Sequence, residues 1–111
     1  MKGSFRRQVE QLEKARRALM LPHPNGEAAS ISGAYLEVSL GLKDLDRSTL
    51  DEHALAMVER LERLMSTTGI DDPTNRGTVT IRSEQLTLDE RAQFAEAVDE
   101  LAWWFRNRAS L

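Results

Sequence analysis

Ala34-Tyr35-Leu36-Glu37-Val38-Ser39-Leu40-Gly41-Leu42 alternates along its whole length, with Ala34, Leu36, Val38, Leu40 and Leu42 pointing one way and Tyr35, Glu37, Ser39 and Gly41 the other. Side chains of an extended chain project to opposite faces in turn, so this pattern predicts a strand with one buried and one wet face. The same grammar recurs at Thr78-Val79-Thr80-Ile81-Arg82, where Val79 and Ile81 would point inward from β-branched surroundings. Each run precedes an amphipathic helix, the first beginning near Ser48 and the second near Thr87. The expectation is therefore an α+β fold in the order α-β-α-β-α.

Working outward, the amino-terminal segment predicts a helix from about Phe5 to Met20, with Phe5, Val9, Leu12, Leu19 and Met20 on one side after a Ser4 cap. Its opposite side gathers Arg6, Arg7, Lys14 and Arg17. Pro22 and Pro24 stop that helix, and residues 22–33 read as a turn-rich connector in which Ala28 to Ile31 would supply a third, short edge strand. Ser48 and Thr49 each stand three residues before a carboxylate, Asp51 and Glu52, in the spacing of a capping box. The arc Leu50, Ala54, Met57, Val58, Leu61, Leu64 and Met65 would face the core, with Gly69 as the stop. Thr87-Leu88-Asp89-Glu90 is a stronger capping box and opens a helix to about Asn107, whose inward stripe is Phe94, Ala95, Val98, Leu101, Ala102 and Phe105.

The 111 residues thus predict one domain: a basic helix over 1–21, the connector 22–33, and a strand-helix-strand-helix core over 34–107. Clean alternation suits an antiparallel sheet with one solvated face. Two strands make a marginal sheet in water, which favours a homodimer that extends the sheet or packs helices across a two-fold axis.

Composition excludes several function classes. With no cysteine, there is no disulfide, thiolate nucleophile or Cys-based metal site. The basic residues at the amino terminus are followed by Gln8, Glu10, Gln11 and Glu13, where a signal peptide would place an apolar run, and no stretch approaches the ~18 apolar residues of a membrane span. A cytoplasmic, bacterial protein without membrane association is expected. Charge is uneven: residues 1–20 carry Lys2, Arg6, Arg7, Lys14, Arg16 and Arg17 against Glu10 and Glu13, giving +4, whereas the remainder is −7. Arg16 falls on the apolar side of its helix, where it would snorkel or pair with an acid.

Trp103 is the residue an ordinary core does not accommodate. It lies about 140° round its helix from Val98, among Glu96, Glu100 and Asn107, while Trp104 sits at the border of the inward stripe. An exposed tryptophan with Arg106 and Arg108 nearby reads as an interface anchor. Leu55 shows the same anomaly among Glu52, Glu59 and Glu62. The expected partner interface is Trp103, Trp104, Arg106 and Leu55. The alternative is a nucleic-acid contact through Arg6, Arg7, Lys14 and Arg17, following phosphates without reading sequence. No aromatics interleave with those cations, and most charge runs are solvated surface.

Catalytic chemistry finds no support in the pattern. His53 has no second ligand one turn on, His23 stands between two prolines, and Asp71 to Gly77 has neither the acidic spacing of a calcium loop nor the cradle of a phosphate loop. No cofactor or metal is implied. The expectation is a non-enzymatic interaction module of the adaptor, chaperone, immunity or inhibitor kind, acting near the C-terminal helix, with a nucleic-acid accessory protein as the alternative.

Overall fold

The computed structural model describes residues 5–109, and its regular structure is helical: α1 (Arg6–Ala18), α2 (Glu27–Leu42), α3 (Glu52–Leu64), α4 (Thr78–Gln85) and α5 (Leu88–Ala109), with one 3-10 turn at Arg47–Thr49. No strand occurs among the described residues, so the α+β expectation is overturned, together with the antiparallel sheet and its extension by dimerisation. Both predicted strands are helices, α2 and α4. The 22–33 connector shrinks accordingly, because α2 already begins at Glu27 and includes the proposed edge strand. The Ser4 cap lies outside the described residues.

The misreading of α2 has a physical cause. At about 100° per residue, Ala34, Val38 and Leu42 fall on the same side of a helix as of a strand, whereas Leu36 and Leu40 fall on the opposite side. The buried residues of α2 are Ile31, Ala34, Val38 and Gly41, spaced as a helical stripe, while Leu36 and Leu40 are 60% and 42% exposed. A helix that is apolar on two opposite faces mimics period-two alternation.

For α4 the override is tertiary. Its Thr-Val-Thr-Ile opening favours a strand, yet propensity is the weaker force wherever packing is specific. Ahead of it, the Asp72 carboxylate accepts from the backbone N–H of Arg76 (2.7 Å) and of Gly77 (2.8 Å). Gly77 then takes the left-handed φ of 99° that turns the chain into the helix. Ser83 is fully buried, donates to the Val79 carbonyl and shares a 2.9 Å hydrogen bond with the Ser32 hydroxyl of α2. Arg82 Nε donates to the Leu64 carbonyl at 2.6 Å, satisfying an orphan acceptor at the end of α3.

The other caps also resolve differently in part. Asp46, not Ser48, caps the 3-10 turn by accepting from Ser48 N, and Asp51 caps α3 by accepting from Ala54 N at 2.9 Å. The Thr87 capping box forms as expected: Glu90 N donates to Thr87 Oγ1 and Thr87 N to Glu90 Oε1. In α5, Ala97 takes the buried position assigned to Ala95, which is exposed.

Helix α1 packs against both α2 and α5, α3 covers another side of α5, and α4 docks on α2. The core gathers Leu12, Ile31, Val38, Leu61, Met65, Phe94, Leu101 and Phe105. Phe5 leans on Trp104 and Phe105 with ring centroids 5.7 and 5.2 Å away, tying the start of α1 to the end of α5. Where α1 crosses α2, Gly41 lets the backbones meet: a Cβ there would stand 3.0 Å from Gln11 Cβ and 3.3 Å from Leu12 Cδ2. Gln8 Nε2 bridges the crossing by donating to the Gly41 carbonyl at 3.0 Å, and the Gln11 amide oxygen is buried there with no hydrogen-bond partner among the described residues.

Candidate functional site

Consecutive tryptophans on α5 have opposite fates. Trp104 is 5% exposed, and its indole Nε1 donates to Asp51 Oδ2 at 3.0 Å. Arg108 lies over its ring, 4.7 Å from the centroid, and donates to the same carboxylate oxygen. Trp104 is therefore a core residue and leaves the predicted partner interface. Trp103 is 67% exposed, as its position on the helix predicts.

Asp51 is the residue sequence reasoning missed. One carboxylate caps α3, receives the Trp104 indole and holds Arg108, and these donors keep its pKa below the usual carboxylate range, led by the Ala54 backbone N–H and then the indole. Its partners lie 53 and 57 residues away, and no local signal in the sequence announces them.

Around Trp103 the charged groups are already paired. Arg16 Nε donates to Asp99 at 2.6 Å, and this hydrogen bond chiefly raises the guanidinium pKa; Arg16 also reaches Glu13 at 3.4 Å. Arg106 pairs with Glu13. On the other flank His53 Nε2 meets Glu100 at 3.0 Å, and Arg60 pairs with Glu96 at 2.9 Å. Exposed pairs of this sort contribute about 0.2–1 kcal/mol each, so their main effect is to fix where charges stand. Open hollows flank the ring: one of about 150 Å³ among Glu13, Arg16, Ala102 and Arg106, another of about 330 Å³ against Asp99 and Glu100. A third, of about 340 Å³, continues along the α1–α5 seam to Leu19 and Met20.

The remaining predicted positions do not converge on this face. Leu55 is half-buried on α3, contrary to its expected exposure, and does not line the hollows beside Trp103. Arg6, Arg7, Lys14 and Arg17 are all exposed on α1, with Glu10 in the same arc. Arg7 donates to the Leu40 carbonyl at 2.7 Å, while no ion pair holds Arg6, Lys14 or Arg17 among the described residues. His23 Nδ1 is hydrogen-bonded to Ser30 Oγ. Among the described residues no group of three or more His, Asp or Glu is gathered to hold a metal ion, and no helix is long and apolar enough to cross a membrane. No family model, curated protein or solved structure matches the chain.

Proposed function

We propose that this chain is a small, non-enzymatic protein–protein interaction module of the adaptor, chaperone, immunity or inhibitor kind, and that it engages its partner through Trp103. One observation carries the reading: a tryptophan left 67% exposed next to one that the core uses. Covering the exposed part of an indole is worth about 3 kcal/mol from area alone. The surrounding carboxylates and guanidiniums already have partners, so a docking surface would not strand an ion beside the ring.

The basic side of α1 supports a second reading, a phosphate-backbone contact, because Arg6, Lys14 and Arg17 are exposed and without an ion pair among the described residues. Capture of partners by tagged protein from lysate, with and without nuclease, separates the two. The interaction reading expects a stoichiometric protein that survives nuclease, is lost with Trp103→Ala and is retained with Arg6→Ala plus Arg7→Ala. Capture that Trp103→Ala leaves unchanged overturns it. Nuclease-sensitive material lost with the arginine variant moves the function to α1.

A further inference from the structure

The helix that imitated a strand has a second apolar face that the described residues leave exposed. At about 100° per residue, Ala29, Gly33, Leu36 and Leu40 fall within an arc of about 60°, opposite the buried stripe of α2. All four are exposed, Leu36 by 60% and Leu40 by 42%. A helix apolar on both sides belongs in an interior, and this one has an interior on one side only.

The stripe has a shape. Its amino-terminal half is small, Ala29 and Gly33, and borders an open hollow of about 340 Å³ lined also by Arg17, Ala18, Met20 and Pro22. Apart from its chain neighbours and its own helix backbone, no atom of the described residues lies within 4 Å of where a Gly33 Cβ would stand. Its carboxyl-terminal half is two leucines. The four positions are symmetric about a point between Ala34 and Tyr35, so an antiparallel copy of α2 would bring Leu36 over Gly33 and Leu40 over Ala29, twice. A parallel copy would set leucine on leucine and leave both hollows empty.

Charge selects the same arrangement. Arg17 borders the hollow beside Gly33, and Glu37 projects from the α2 edge that also carries Ser30 and Gly41, the edge against α1. Neither has an ion-pair partner in its own chain among the described residues. An antiparallel two-fold keeps the α1 edges of the two protomers on one side and brings each Arg17 to the partner's Glu37. With α2 about 24 Å long and packed helices about 10 Å apart, the face formed by α2 and its α1–connector flank covers on the order of 480 Å², near the ~500 Å² per partner that is the lower bound for a specific interface.

We propose that the outward face of α2 is the interface of a symmetric homodimer, with the α2 helices antiparallel, Leu36 and Leu40 seated on the partner's Gly33 and Ala29, and Arg17 paired with the partner's Glu37 at both rims. This surface is separate from Trp103, and its test does not depend on that reading. Sedimentation equilibrium of the full chain should show a monomer–dimer equilibrium. Leu36→Lys with Leu40→Lys, both at exposed positions, should weaken it about a hundredfold or more while circular dichroism stays that of the folded helical chain. Arg17→Glu or Glu37→Arg alone should weaken dimerisation, and the two together should restore it. Because the chain has no cysteine, Gly33→Cys mixed with Leu36→Cys reports orientation: the mixed disulfide should outpace either variant alone. A chain that stays monomeric, a dimer indifferent to the two lysines, or faster self-linking of Leu36→Cys overturns the proposal.

Discussion

Replacing Gly41 by alanine isolates the contact that holds α1 against α2. In an unhindered helix interior, Gly→Ala stabilises by about 0.5–1 kcal/mol, because the chain loses less freedom on folding. Gly33 is such a site, with open space around its Cβ position, and Gly33→Ala should raise stability by about that amount. At Gly41 the new methyl would meet Gln11 Cβ at 3.0 Å and Leu12 Cδ2 at 3.3 Å. The first of these atoms is rooted in the α1 backbone, so α1 itself must retreat, stretching the Gln8 hydrogen bond to the Gly41 carbonyl. Overpacking of this kind costs about 1–3 kcal/mol, and subtracting the helix gain leaves Gly41→Ala about 0–2.5 kcal/mol less stable than the parent. Urea denaturation followed by far-UV circular dichroism, on protein dilute enough to be monomeric, measures both variants. The reasoning is refuted if Gly41→Ala raises the midpoint as Gly33→Ala does, since the helices would then not meet at Gly41.

Other consequences are as direct. Trp103→Ala should leave folding stability within about 0.5 kcal/mol of the parent, whereas Trp104→Ala should cost about 3–5 kcal/mol; equal losses in denaturant would show that Trp103 is not exposed. Asp51 has a depressed pKa in the folded state, so its contribution is complete above the usual value of 3.8 and is lost as pH falls below it toward the folded value. Asp51→Asn should accordingly flatten the acid limb of stability as pH falls through and below about 3.8, read by indole fluorescence; an unchanged acid limb counts against the Asp51–Trp104 bond. Gln11→Met removes a buried oxygen without a partner and should stabilise the chain by about 1 kcal/mol, and a lower melting temperature would mean that the oxygen is satisfied after all.

Helices α1, α3 and α5 were legible in the sequence because each has one apolar side and one wet side, and a single-sided stripe repeats only at the helical period. The Thr87–Glu90 capping box was readable for the same local reason. Ala34 to Leu42 misled because Leu36 and Leu40 lie on a second apolar face, and the apolar periodicity of nine residues cannot separate two opposite helical faces from the two faces of a strand. Only the structure shows which set is buried, and Ile31, Ala34, Val38 and Gly41 have a spacing that fits only a helix. Of the candidate site, the exposure of Trp103 followed from its angle on α5, since that angle is local. The burial of Trp104 did not, because its partners Asp51, Phe5 and Arg108 come from both ends of the chain and from the cap of α3.

By itself the sequence determined the uneven charge, the absence of cysteine chemistry, the existence of three amphipathic helices and the outward position of Trp103. Those properties depend on composition or on neighbours within a few turns. Only the tertiary structure decided that α2 and α4 are helices, through the close approach at Gly41, the buried Ser32–Ser83 hydrogen bond and the Arg82 contact to the end of α3. Backbone preferences differ between helix and strand by about 1 kcal/mol per residue or less, and packing contacts between distant segments outweigh them.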